Sequence, residues 1–193
     1  MHPMPDHVKE DGRVIKTQWI IFIVAFILPI LLFPLVDEHH AKSVGKMVDM
    51  LFITGTILLA VKLAREGWDL AAAGYTVLGI GWGILFAAID FQDLHMDMEV
   101  RASAGYFFLP SMILIAYYKP FPWWIKGLTI WCIVPFAIAL LLQEFNTAEP
   151  SAVGFWVLMG FNSLHLTSLF WAFFFYRRFR KQKKSGHPIP AAE

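Results

Sequence analysis

The sequence predicts an all-α fold: a polytopic membrane protein built as a bundle of six transmembrane helices, with the N-terminus and the C-terminus cytoplasmic. Three observations predict it. Of 193 residues, 58% are hydrophobic and 16% charged, and mean hydropathy is +0.56, whereas a soluble domain carries about 25% charged residues. Apolar runs near the ~20 residues that a helix needs to cross roughly 30 Å of hydrocarbon recur along the chain. Lysine and arginine fall unevenly on the flanks of those runs. The composition excludes a disordered chain, which requires low hydrophobicity. A single cysteine excludes a disulfide scaffold, and a net charge of +1 supplies no bulk field for nucleic acid.

The runs are taken in order. Residues 1–16 are polar and proline-punctuated, which reads as a loose tail. The first run, 19–36, holds Pro29 and Pro34. Its flank Leu35-Val36-Asp37-Glu38 lacks the small-residue pattern of a signal cleavage site, and the run exceeds a signal core, so it reads as a retained helix. The second covers 48–64. The third, 70–91, contains Gly79, Gly83 and Ala87 at steps of four, a stripe of small residues that lets two helix backbones approach closely in lipid. The fourth covers 104–118 with Pro110, and the fifth 123–142 with Cys132 and Pro135. The sixth, 152–176, is the longest. Proline inside a span removes a donor, so kinks are expected at Pro29, Pro34, Pro110 and Pro135. The membrane domain is then 17–180, and residues 181–193 form a basic, mobile tail. The short connections leave no room for a soluble domain.

With a cytoplasmic N-terminus, thirteen of the basic residues flank the spans on that side, among them Arg65, Lys119, Arg177 and Lys181. Only Lys42, Lys46 and Arg101 fall on the other. Trp19, Trp68, Trp123 and Trp124 come at the cytoplasmic boundary, where amphipathic rings prefer to sit. The basic tail reads as a stop-transfer flank, or as an attraction for anionic lipid at about 1 kcal/mol per charge.

Acids and imidazoles gather on the opposite side. Asp37, Glu38, His39 and His40 precede the second run; Asp90, Asp93, His95, Asp97 and Glu99 follow the third; Glu144 and Glu149 follow the fifth. Such a cluster suits a divalent metal or a cationic solute, and it is equally what polar loops on the non-basic side carry. On a continuous helix Asp90, Asp93 and Asp97 share one arc with the glycine stripe, since each residue turns about 100°. They are the candidate metal ligands. Their spacing resembles the first aspartate motif of the intramembrane aromatic prenyltransferases over eight residues. That resemblance implies magnesium and a prenyl diphosphate held by these aspartates. The chain departs from the family in having fewer helices, no second aspartate motif, and Ile89 where an asparagine usually precedes.

His165 lies near the middle of the sixth run with Asn162 one turn before it. A charged side chain there costs about 2.5–3.5 kcal/mol even on insertion scales, so His165 is expected neutral, and the pair is the candidate lining of an internal cavity. Bis-histidine haem lacks a second histidine at that depth, which leaves single-histidine haem as a lesser possibility beside a divalent cation. The plain alternative is a histidine hydrogen-bonded to a serine or threonine of another helix. No Gly-x-Ser-x-Gly elbow, His-Glu-x-x-His zinc pattern or Walker loop occurs, and no catalytic set is assigned.

Three readings follow. The chain is a small-solute or cation binding and transport module, or a subunit of a larger membrane complex. It is a metal-dependent, membrane-embedded enzyme acting on a lipid or isoprenoid. Or it is a structural or assembly subunit without a site. The partners expected are the lipid bilayer and other membrane subunits or further copies, with no nucleic acid. The location expected is a membrane crossed several times, the plasma or inner membrane if the source is bacterial.

Overall fold

In hydrocarbon, backbone amides must be satisfied within their own segment, which favours helices. The computed structural model describes residues 6–88, 100, 103–145 and 150–185, and all its regular elements are helical. They are α1 (Asp6–Leu32), α2 (Glu38–Arg65), α3 (Asp69–Ala88), α4 (Gly105–Ala116), α5 (Trp123–Trp131), α6 (Ile133–Glu144) and α7 (Pro150–Ser185). α1 starts inside the 1–16 stretch, and α7 continues to Ser185, inside the stretch read as the C-terminal tail.

Local chemistry sets the ends. The Asp37 carboxylate accepts the His40 amide at 2.9 Å, satisfying one of the free donors that open α2. α2 closes through Gly67, whose φ of 77° is the left-handed conformation a side chain disfavours. The Trp68 amide then reaches back to the Leu63 carbonyl at 2.9 Å. α5 and α6 are separated only by Cys132, which keeps helical angles (φ −60°, ψ −22°). Pro135 cannot donate to the Trp131 carbonyl four residues earlier, so the ladder slips there and the two helices stay one rod. Pro29 and Pro110 lie inside α1 and α4. Pro34 lies past the end of α1, in a turn, and not within a span as the sequence suggested.

Five stretches are long and apolar enough to cross a membrane: Gly12–Leu32, His40–Arg65, Asp69–Ala87, Trp123–Glu144 and Ser151–Lys181. The fourth run falls short of the expected span. Its helix has 12 residues, about 18 Å at 1.5 Å per residue.

The rods pack as a closed ring in chain order. α1 touches α2, α2 touches α3, α3 touches α4, α4 touches α5 and α6, those two touch α7, and α7 returns to α1. The seam between first and last helices is antiparallel, with Trp19 stacked on Tyr176 at 5.6 Å. Short loops join successive rods, so the N-terminal end of α1, the α2–α3 turn, the α4–α5 loop and the C-terminal end of α7 share one face, here the terminal face. Large apolar side chains such as Ile20, Ile30, Val61, Leu158 and Trp131 are exposed on the outside. Gln18, Thr56, Ser111, Thr129 and Ser168 are buried inside. Large apolar groups on the outside, with the few polar groups withdrawn into a mainly apolar interior, is the distribution expected when lipid is the solvent.

A belt of aromatic rings circles the interior, with every rod contributing. Phe22 of α1 meets Phe52 of α2 at 5.6 Å, and Phe52 meets Trp82 of α3 at 4.6 Å. Trp82 meets Phe108 of α4 at 5.7 Å, Phe108 meets Phe136 of α6 at 4.9 Å, and Phe136 meets Phe161 of α7 at 5.3 Å. Glycines on adjoining helices make room for three of these rings. A Cβ at Gly55 would lie 2.9 Å from Phe22, at Gly81 2.5 Å from Phe108, and at Gly160 2.7 Å from Phe136.

Candidate functional site

His165 closes the belt. Its imidazole lies nearly parallel to Phe52, with centroids 4.6 Å apart, and to Trp82, at 5.3 Å. Helix spacing accounts for the placement: Phe161 and His165 are four apart, so both project from α7 into the ring, where both meet Trp82 of α3. His165 Nε2 and Trp82 Nε1 are buried, and neither has a hydrogen-bond partner among the described residues.

A second level lies toward the terminal face, one helical turn from Phe22 and about two from Trp82. Gly55 of α2 abuts Phe22, and Gly79 of α3 abuts Thr56 of α2, so Gln18 and Tyr75, each four residues from those contacts, share a height. Both are fully buried, at 0% exposure. Neither polar atom of Gln18 has a partner among the described residues, nor has the Tyr75 hydroxyl. Tyr75 sits edge-on to Trp171 at 5.2 Å, and the Trp171 indole donates to Thr129 Oγ1 at 3.0 Å. Threonine and serine hydroxyls elsewhere in the interior turn back on their own helices: Thr56 donates to the Phe52 carbonyl, Ser111 to Phe108, and Ser168 to Leu164. Trp68 Nε1, in the turn after α2, and Gln143 Oε1, near the end of α6, are also buried without a partner among the described residues. Gln18, Tyr75, Trp82 and His165 stand out as the unsatisfied groups at the middle levels of the ring, where each is costly in a low-dielectric interior.

A charged third level closes the terminal face. Lys62 and Glu66, one turn apart near the end of α2, form an ion pair that is largely buried. The Arg178 guanidinium donates to the Tyr118 hydroxyl at 2.6 Å. Trp68, Phe121 and Phe175 pack around the Tyr118 ring. Burial pushes the Tyr118 phenol well above its ordinary range; Arg178 works against that shift and Glu66 adds to it.

The residues singled out by the sequence fall unevenly on this plan. His165 is in the belt. Asn162 is exposed, with no hydrogen bond to His165. Gly79 packs closely on α2, whereas a Cβ at Gly83 would meet nothing within 4 Å and Ala87 is exposed. The close approaches on α3 come at Gly74, against the backbone of Ile115, and at Gly81. Asp90, Asp93 and Asp97 lie outside the described residues, as do His95 and Glu99. Among the described residues no three acids, histidines or cysteines gather as metal ligands. Two of the acidic flank residues hold other partners: Asp37 caps α2 and meets His40 Nδ1 at 2.7 Å, and Glu144 accepts from the Tyr106 hydroxyl. Sequence reasoning passed over Gln18, Tyr75, Trp82 and the Tyr118–Arg178 pair. Gln18 carried a usable signal, as the amide opening the apolar run from Trp19.

The chain matches no family model, no curated protein and no solved structure.

Proposed function

We propose that the chain is a membrane-embedded module that binds and passes a small, uncharged polar solute through the interior of its helix ring. The observation that carries this reading is the set of unsatisfied polar atoms on Gln18, Tyr75, Trp82 and His165. The indole offers only a donor, while the amide, phenol and neutral imidazole offer both donor and acceptor. A solute with both capacities satisfies that set, and a bare ion does not. His165 and Trp82 form the inner station, Gln18 and Tyr75 the next, and the Tyr118–Arg178 pair with Lys62–Glu66 guards the terminal face. The side opposite the termini, with its acidic loops, is the side from which solute enters.

The test is stopped-flow light scattering of proteoliposomes facing gradients of water, urea or glycerol. Wild type should equilibrate at least one of them faster than protein-free vesicles. Gln18→Leu and His165→Phe should return that rate to background. Permeability of wild type equal to that of empty vesicles for all three would sink the reading.

A further inference from the structure

A pocket of about 350 Å³ opens on the terminal face between the start of α5 and the end of α7. Pro122 and Trp124 form one wall. Phe173, Phe174, Arg177, Arg178 and Lys181 form the other. The second wall is ordered along the helix axis. Phe173, Arg177 and Lys181 follow one another at steps of four, and Phe174 and Arg178 do the same beside them, so each aromatic lies about 6 Å deeper than the nearest cation of its row. All three charged residues lining the pocket are cations. The opening turn of α5, where Pro122 and Trp124 line the pocket, also carries free amide donors and the positive end of that helix's dipole.

We propose that this pocket seats one anionic phospholipid, its phosphate against Arg177, Lys181 and the guanidinium edge of Arg178 not used by Tyr118, with acyl carbons over Phe173 and Phe174. Two features favour a lipid over a free phosphate. The apolar floor lies deeper than the cations, as acyl chain lies deeper than headgroup. Exposed aromatic bulk also flanks the rim at Trp123, which is 84% exposed, as in the aromatic belts of membrane boundaries. Arg178 faces both ways: it lines the pocket and holds the buried Tyr118. A seated headgroup therefore fixes the guanidinium that closes the ring interior. This seat stands independently of what the interior carries.

The test counts lipids retained by the detergent-purified full chain in native mass spectrometry, after incubation with phosphatidylglycerol or phosphatidylcholine. Wild type should retain one phosphatidylglycerol in preference to phosphatidylcholine. The doubly neutralised Arg177→Gln/Lys181→Gln chain should bind it roughly thirtyfold more weakly, as expected for two charges near a phosphate. Arg13→Gln/Lys119→Gln removes two exposed cations from the same face outside the pocket and should leave retention unchanged. Equal loss from both double variants would overturn the seat in favour of diffuse attraction. Equal retention of the two lipids by wild type would overturn it as well. Displacement of the lipid by millimolar inorganic phosphate would show a bare anion site and would also overturn the lipid assignment. Both double variants keep every described helix contact, so melting temperatures matched to wild type are the check that lost binding is not lost fold.

Discussion

Tyr118 is a buried phenol that accepts from a guanidinium and lies within the field of Glu66, and its substitution separates two effects. Tyr118→Phe keeps the ring against Trp68 and Phe175 but removes the acceptor of Arg178, a loss of about 1–3 kcal/mol. Its pH dependence has a definite sign. The folded pKa is raised, so the fold favours the neutral phenol. The contribution is present below the unfolded phenol's pKa near 10 and declines as pH climbs from there toward the folded value. Melting in detergent should therefore fall more steeply above about pH 10 for wild type than for Tyr118→Phe. His165→Phe is the complementary case. It keeps a ring beside Phe52 and Trp82 and deletes a buried nitrogen without a partner, so melting should hold or rise while solute passage stops. A large drop in melting temperature would instead mark His165 as a structural member of the belt.

On α3, spacing alone does not say which glycine meets which neighbour, and the reason lies in the ring. Each rod has a neighbour on both sides and lipid on a third. Small residues at steps of four identify a stripe, but not which of the three surroundings it meets. Gly79 meets α2, Gly74 and Gly81 meet α4, and Gly83 meets open space. Gly81→Leu should consequently displace Phe108 and destabilise the bundle by about 1–3 kcal/mol or more, whereas Gly83→Leu should leave the melting temperature nearly unchanged. The reverse order would show that α3 is rotated about its axis relative to this packing. The same ambiguity hid the sockets at Gly55 and Gly160, single glycines whose partners Phe22 and Phe136 lie on adjoining helices.

For the whole molecule, the apolar runs made the rods legible, because length and hydropathy suffice to predict a helix that can cross hydrocarbon. Ring order and interior were not legible. Gln18, Tyr75, Trp82 and His165 are scattered along the sequence, each a single polar or amphipathic side chain set in an ordinary run, and only closure of α7 on α1 brings them into one interior. Charge bias predicts that the terminal face is cytoplasmic. Cysteine labelling at Lys119 and at Lys42 should find the first reachable only from the cytoplasm and the second only from outside; the opposite result would invert the molecule. Asp90, Asp93 and Asp97 then belong to the outer side, where calorimetric titration of wild type and Asp93→Asn with divalent metals should show binding only by wild type. No heat from wild type at millimolar metal would leave these aspartates as solvated loop residues.

The seam between α1 and α7 has a consequence for biosynthesis. Trp19 finds Tyr176, and Gly12 finds Phe179, only after more than a hundred intervening residues have been made. Until then α1 enters the bilayer with the Gln18 face uncovered, and Phe52 and Trp82 wait for the imidazole of the last helix. Embedded in a bilayer, the nascent chain would have only the partial arc of α1 to α4 to cover these groups through most of its synthesis. A ribosome that stops before α7 leaves an open crescent whose polar lining faces lipid, a ready substrate for membrane quality control.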